Sequence, residues 1–107
     1  MTVDSQDLSE RVALVTGAGT GIGRAIAARL AAAGAAVGIH FRSSRAGAEN
    51  LAAEVTKAGG HPFLVEADLT RPDEARDAVD RVAAHFGRLD ILVNNALIDI
   101  NGGRFLR

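Results

Sequence analysis

The stretch Thr16-Gly17-Ala18-Gly19-Thr20-Gly21-Ile22-Gly23 lies between a short apolar run at 12–15 and an alanine-rich helical pattern whose apolar stripe begins at Ile22. This order predicts a buried strand, a glycine-rich turn and a helix. Glycine has no Cβ and readily adopts positive φ, so such a turn bends sharply and brings its N–H groups close to a phosphate. The N-terminus of the following helix adds roughly half a positive charge. The stretch, called here the glycine loop, therefore predicts an anion site, although a turn without a ligand is an alternative.

The spacing of the glycines distinguishes between types of phosphate loop. The dinucleotide pattern G-x-G-x-x-G is not satisfied. If the pattern starts at Gly17, its third glycine position holds Ile22, and if it starts at Gly19, that position holds Arg24. The P-loop pattern is not satisfied either, because no Gly-Lys-Ser/Thr follows. The pattern that fits is T-G-x-x-x-G-x-G, whose fixed positions are Thr16, Gly17, Gly21 and Gly23.

Three further strands are predicted from short apolar runs at 37–41, 63–65 and 89–93. Helical patterns occupy the segments between the strands, and each ends at a glycine, the usual residue after a helix C-terminus. Ser43 or Ser44 is the predicted N-cap of the second helix, and Thr70 that of the third.

The order β-α-β-α-β-α-β predicts an α/β fold, a Rossmann-like, doubly wound parallel sheet of about four strands in the order 3-2-1-4 with three helices. In such a sheet the carboxyl ends of the first and fourth strands face one crevice. The glycine loop and residues 94–96 should therefore meet there.

The composition excludes several classes of protein. The 107 residues are 48% hydrophobic, which predicts one domain with a packed core. A net charge of -1 gives no broad attraction for nucleic acid or for an anionic membrane, so neither is an expected partner. The chain has no cysteine, and His61 and His85 have no neighbours at metal-ligand spacing, so no metal site is expected. It has no apolar run near the roughly 20 residues of a membrane span and no signal peptide, and we expect a cytoplasmic protein.

Four local signatures now occur in the order known from one family, and over about residues 9–96 the sequence resembles the N-terminal, cofactor-binding half of the short-chain dehydrogenase/reductase family. The resemblance implies a polar tail at 1–9, a partial NAD(P)-binding Rossmann domain at 10–97 and an irregular tail at 98–107. The first signature is the glycine loop, whose implied cofactor-binding residues are Thr16, Gly17, Gly19, Thr20, Gly21, Ile22 and Gly23.

The second signature is the end of the second strand. Members that prefer NAD carry an acidic residue there for the ribose 2′-hydroxyl. Here Phe41 occupies that position and Arg42 follows, so a 2′-phosphate would be attracted by a guanidinium instead of repelled by a carboxylate. We therefore expect NADPH to be preferred over NADH, with Ser43 as a further hydrogen-bond partner. His40 either assists the phosphate from the side or is an incidental strand-end residue.

The third and fourth signatures follow the third and fourth strands. Asp68 and Leu69 resemble the family's adenine-holding pair, although Asp68 could instead support the N-terminus of the next helix. The segment Asn94-Asn95-Ala96 resembles the family's N-N-A-G, which runs beside the cofactor ribose. Here Leu97 replaces the glycine, which would crowd the nicotinamide end of the site.

The residues that the family uses for catalysis are missing. Its reductases donate a proton from the tyrosine of a Tyr-x-x-x-Lys motif, helped by a serine. This sequence has no tyrosine, and its only lysine is Lys57. We therefore expect no catalytic residues and no activity from the chain alone. An unpaired edge on the fourth strand would favour self-association. The alternatives are a non-catalytic nucleotide-binding or dimerisation module, or a truncated or frameshifted gene product.

Overall fold

The computed structural model describes residues 7–95 of the chain. In this range strands and helices alternate as β1 Val12–Val15, α1 Gly21–Ala32, β2 Ala36–Phe41, α2 Arg45–Lys57, β3 Pro62–Glu66, α3 Pro72–Phe86 and β4 Ile91–Val93. All strand pairs are parallel and the strand order is β3-β2-β1-β4. The predicted doubly wound sheet and its strand order are confirmed.

Two apolar cores cover the two faces of the sheet, because successive side chains of a strand point to opposite faces. One core joins Val15, Val37 and Ile39 of the central strands to residues of α1 and α2. The other joins Leu14 and Val65 to residues of α3. All four residues of β1 are buried, as the continuous apolar run predicted. None of the helices within residues 7–95 is long and apolar enough to cross a membrane.

The helix C-termini and the N-cap position of α2 follow the prediction, whereas the N-cap of α3 differs from it. Gly34 follows α1 with φ 104° and its N–H donates to Ala31 O at 2.9 Å. Ser44 is the N-cap of α2, but its side chain makes no capping hydrogen bond. The N-cap of α3 is Arg71, not Thr70. The predicted cap fails because the Thr70 hydroxyl donates to Asp68 Oδ1 at 2.6 Å instead of serving the helix.

The fourth strand is shorter than its apolar pattern predicted. Leu89 packs against the core on the α3 side, and the Asp90 carboxylate accepts the backbone N–H of Val12 at 2.8 Å. The Asp90 backbone N–H donates to Val12 O at 2.9 Å, so residue 90 already contacts β1, but the Val12 N–H bonds the Asp90 side chain and the regular strand begins only at Ile91.

Candidate functional site

A cleft of about 510 Å³ opens at the edge of the sheet where the carboxyl ends of β1, β2 and β3 meet. Most of the residues expected from the sequence to bind a cofactor line it: Gly17, Thr20, Gly21, Ile22, Arg42, Ser43, Asp68, Leu69 and Asn95. Residues outside that set complete the walls: His40, Ser44, Ala67 and Thr70. The fold thus brings the glycine loop and the ends of the neighbouring strands into one concave surface.

The other expected residues lie elsewhere. Thr16, Gly19, Gly23, Phe41 and Asn94 are not on the walls of this cleft. Ala96 lies outside the described residues, as does Leu97. The resemblance alone could not separate residues that face the cleft from residues that support it from behind, because both kinds belong to the same motif.

Glycines behind the loop permit close backbone contacts. A Cβ on Gly23 would overlap Gly17 O, and a Cβ on Gly19 would lie 2.8 Å from Ser44 O. The sequence pattern did not single out Gly47 of α2, yet a Cβ there would overlap Gly19 O. These glycines allow the first turns of α1 and α2 to pack against the loop at distances that a side chain would prevent.

The first turn of α1 borders the cleft through Gly21 and Ile22. Thr20 is the N-cap and makes no side-chain capping bond, and the first turn contains no acidic residue. The N–H groups of a first helical turn have no acceptor inside their own helix, so they are available to an anion. Ile22, which the apolar periodicity placed in the core, is 73% exposed because it lies in this turn on the wall of the cleft.

His40 lies under the glycine loop and does not extend into solvent. Its Nδ1 accepts the backbone N–H of Gly17 at 2.9 Å, and its Nε2 lies 2.9 Å from Ala67 O. Because Nδ1 is an acceptor, the ring proton is on Nε2, which donates to Ala67 O. Burial lowers the pKa of His40 below its usual 6.5, against the opposite effect of the Ala67 hydrogen bond. The hypothesis that His40 assists a phosphate is therefore wrong, since both ring nitrogens are bound within the protein.

Arg42 and Asp68 pair across the cleft, with Arg42 Nη2 3.2 Å from Asp68 Oδ2. Asp68 Oδ1 also accepts the Thr70 hydroxyl at 2.6 Å and the Thr70 N–H at 3.0 Å. These Thr70 hydrogen bonds are the main cause of the lowered pKa of Asp68, and the charges of Arg42 and Arg71 add to it. Asp68 therefore organises the turn before α3 and holds the Arg42 side chain, which is 65% exposed.

Phe41, expected from the sequence to be a cofactor-binding residue, does not line the cleft. Its side chain is 2% exposed and belongs to the core on the α1 and α2 side of the sheet. The Arg45 guanidinium lies 5.0 Å from the centre of its ring. The alternation of side chains along β2 turns Phe41 away from the cleft that the following residue, Arg42, lines.

The ends of β1 and β4 are joined through Thr16. The Asn95 N–H donates to Thr16 Oγ1 at 2.8 Å, and that oxygen lies 3.4 Å from both Val93 O and Asn94 Oδ1. The Asn95 side-chain amide donates to Gly17 O at 3.3 Å. The predicted meeting of the first and fourth strand ends is thus present, and Asn95 is the residue that contacts the glycine loop.

Within residues 7–95, no group of three or more His, Cys, Asp and Glu side chains is arranged to hold a metal ion. The cleft offers backbone donors, one guanidinium, the Asp68 carboxylate paired with it, serine and threonine hydroxyls, the Asn95 amide and apolar surface. This combination suits a ligand with both phosphate groups and flat rings.

Comparisons with known proteins agree with this geometry. The short chain dehydrogenase family profile matches residues 11–105. An uncharacterized oxidoreductase of Methylorubrum extorquens is 48% identical over 89 residues, which are 83% of this chain and 36% of that protein. The short-chain dehydrogenase/reductase homolog YusS of Bacillus subtilis is 41% identical over 88 residues, 82% of this chain and 81% of that one. The chain thus spans about a third of the first relative and most of the second.

A solved structure shows the same arrangement of strands and helices. The crystal structure of a short chain dehydrogenase from Burkholderia cenocepacia, in complex with NADP, superposes with a TM-score of 0.83 at 48% identity. The match covers 89% of this chain and 39% of that one. The family profile, the relatives and the shared fold together show that this chain belongs to the short-chain dehydrogenase/reductase family, whose members bind nicotinamide dinucleotides.

Proposed function

We propose that this chain binds NADP(H) in the cleft and prefers it to NAD(H). The observation that carries the proposal is the guanidinium of Arg42, which follows β2 on the wall of the cleft beside Ser43 and Ser44. A guanidinium forms strong paired hydrogen bonds with a phosphate, whereas an acidic residue here would repel one. The NADP in the Burkholderia relative supports this choice of cofactor.

The remaining parts of the dinucleotide are assigned by the same chemistry. The diphosphate would lie at the first turn of α1, where the N–H groups of Gly21 and Ile22 are available. The adenine would lie between Asp68, which can accept its amino group, and the apolar side chain of Leu69. Asn95 and Ala96 would border the cofactor ribose, and Thr16, Gly19, Gly23, Phe41 and Asn94 would support these contacts from behind.

Binding requires Arg42 to exchange partners. Its ion pair with Asp68 is exposed, and such pairs contribute only about 0–1 kcal/mol. A 2′-phosphate carries nearly two negative charges at neutral pH, so it competes well with a single carboxylate for the guanidinium. The pair therefore keeps the Arg42 side chain at the cleft without preventing its transfer to the ligand.

Titration of the purified chain with NADPH and with NADH tests the proposal. Isothermal titration calorimetry should give an affinity for NADPH at least about tenfold higher, equivalent to about 1.4 kcal/mol. The variant Arg42→Asp should lose this preference, because it places a carboxylate beside the phosphate. Arg76→Asp removes an exposed charge on α3 away from the cleft and is the matched control. Equal affinities of the unchanged protein for the two cofactors would contradict the proposed preference.

We further propose that the 107 residues alone bind the cofactor without catalysing carbonyl reduction. No tyrosine is present anywhere in the sequence, so the family's proton donor is missing. NADPH oxidation followed at saturating cofactor, with aldehydes and ketones as substrates, should show no rate above the protein-free reaction. A rate proportional to the protein concentration would contradict this part of the proposal.

A second candidate function, self-association, is favoured by the fourth strand. Among the described residues β4 pairs only with β1, and Leu92 is 53% exposed. A strand edge with an apolar side chain is a template for pairing with another chain. Sedimentation velocity over a range of protein concentrations, with and without NADPH, tests it. A monomer at every concentration would exclude this candidate and leave the cofactor proposal unaffected.

A further inference from the structure

His40 binds two consecutive amides of the glycine loop. Its Nδ1 accepts the Gly17 N–H at 2.9 Å, and its backbone oxygen accepts the Ala18 N–H at 2.8 Å. On its other side, Nε2 bonds Ala67 O at 2.9 Å, at the end of β3. With 2% of its surface exposed, His40 is a fixed buried link between the ends of three neighbouring strands.

Gly17 joins two peptide groups that fix the geometry of the loop: its N–H, in the peptide with Thr16, donates to His40 Nδ1, and its carbonyl oxygen lies in the peptide with Ala18. Gly17 has φ 62°, and its carbonyl oxygen accepts the side-chain amide of Asn95 at 3.3 Å. The same oxygen lies against Gly23 in the first turn of α1, where a Cβ would overlap it. A change in the backbone dihedrals of Gly17, which connect the N–H bound by His40 to this oxygen, would therefore displace the helix N-terminus that faces the cleft.

We propose that His40 is a positioning residue for the cofactor: its neutral ring, with the proton on Nε2, holds the glycine loop in the diphosphate-binding form, and protonation of Nδ1 releases the loop. This inference rests on the proposed binding of NADP(H). In the imidazolium both ring nitrogens are donors. Nδ1–H would then point at the Gly17 N–H, so that hydrogen bond is lost and a buried donor is left without an acceptor.

The surroundings of His40 offer little compensation for a positive charge. The charged groups nearest to it along β2 and after β3 are Arg42 and Asp68, which pair with each other. On α3, Glu74 accepts the Asp68 N–H at 2.8 Å. Toward β1, α3 and β4 the ring borders a small cavity whose other walls are apolar side chains with Thr16 and Asn94, and none of these titrates. Burial is thus the dominant effect on the ring, and it lowers the pKa of His40.

The sign of the pH dependence follows from this lowered pKa. Above the usual value of 6.5 the ring is neutral in both the folded and the unfolded chain, and its contribution to the folded loop is complete. As the pH falls through the lower pKa of the folded protein, Nδ1 is protonated and the contribution is lost. If only the neutral form binds, the affinity declines by up to about tenfold for each further pH unit.

Calorimetric titration with NADP⁺, which is stable in acid, tests the proposal from about pH 8 down to the lowest pH at which circular dichroism still shows a folded chain. His40→Asn is the informative variant, because its Oδ1 can replace Nδ1 as the acceptor of the Gly17 N–H and does not titrate. His40→Leu lacks any acceptor. The 2′-phosphate of the ligand itself titrates near pH 6, but equally for all variants, so it cancels when affinities are compared at the same pH.

At about pH 8 wild type and His40→Asn should bind within about threefold of each other, and His40→Leu at least about tenfold more weakly. Toward low pH the ratio of wild-type to His40→Asn affinity should fall progressively. If the ratio of wild-type to His40→Asn affinity stays constant, the proposal is overturned. This comparison does not need His40→Leu, so it holds even if circular dichroism shows that His40→Leu is unfolded. If neither wild type nor His40→Asn binds NADP⁺ at about pH 8, the proposed function is wrong. NMR then decides the role of His40: the Gly17 amide signal must shift with the titration of the His40 ring, and an unchanged signal overturns it.

Discussion

At the scale of single residues, the approach of α2 to the glycine loop depends on Gly47. A Cβ there would overlap Gly19 O, which is backbone and cannot rotate away. Gly47→Ala should therefore destabilise the fold by about 1–3 kcal/mol, although alanine is the better helix former. Urea denaturation followed by circular dichroism measures the change. Asn50→Ala, at an exposed position of the same helix, is the control and should be neutral or stabilising. A Gly47→Ala variant as stable as wild type would contradict the close packing.

The pair of Arg42 and Asp68 leads to a second prediction about single residues. Asp68→Asn removes the charge that holds Arg42 while keeping an oxygen for Thr70 and for an adenine amino group. Both the released guanidinium and the lost carboxylate favour a 2′-phosphate. Calorimetry should show an NADPH affinity raised severalfold, in line with about 0–1 kcal/mol for an exposed pair, and an unchanged NADH affinity. A lower ratio of NADPH to NADH affinity would show that the carboxylate helps phosphate binding.

The sequence predicted the chemical types at the site but not the contacts between them. Arg42 and Asp68 were assigned to different parts of a cofactor, and their ion pair depends on the register of β2 with β3, in which Phe41 lies beside Glu66. The hydrogen bond of His40 to the glycine loop was not predicted for the same reason, since it also depends on how the strands are paired. The His40 ring reaches the Gly17 N–H only because β1 and β2 are neighbours in this register, a relation between segments that no local pattern contains.

At the scale of the elements, local patterns predicted whole strands and helices and the N-cap position of α2, but not the N-cap of α3 or the start of β4. Apolar periodicity and the glycine after a helix are signals contained in a few consecutive residues. The order of the elements and the C-termini of the helices could therefore be predicted from the sequence. Thr70 is a good cap by type, but Asp68 takes its hydroxyl. Ile22 has the right spacing for the core, but it lies in the turn that faces the cleft.

The packing of α3 on β2 provides a prediction at this scale. A Cβ on Gly38 would lie 2.9 Å from Val82 Cγ2 and 3.2 Å from Leu14 Cδ1. Gly38→Ala should therefore destabilise the protein, and Val82→Ala should remove the methyl groups in its way. In a double-mutant cycle measured by urea denaturation, the two changes should couple favourably by about 0.5–3 kcal/mol. Strictly additive effects would mean that α3 moves away from the sheet as a rigid body at little cost.

At the scale of the whole molecule, the proposed cofactor binding and the proposed self-association centre on different regions. The cleft lies mainly at the carboxyl ends of β1, β2 and β3, with Asn95 after β4 on its wall, whereas the exposed Leu92 lies within β4, which among the described residues pairs only with β1. Leu92 also borders the small cavity beside His40, so the comparison is made at about pH 8, where that ring is neutral. At this pH a change on β4 should alter association without altering the affinity for NADPH. Leu92→Lys tests this separation because lysine on an edge strand opposes pairing with another chain.

We expect Leu92→Lys to weaken self-association by at least about tenfold, or about 1.4 kcal/mol, in sedimentation velocity, since each partner gains a charge that must be desolvated on contact. Calorimetry should give the same NADPH affinity as for the unchanged chain. Ala84→Lys, which adds the same charge on the exposed side of α3, is the control and should associate like wild type. If Leu92→Lys associates as strongly as wild type, another surface joins the chains. If it also loses NADPH binding, the two regions are coupled through β1, and an associated form would be the one that holds the cofactor.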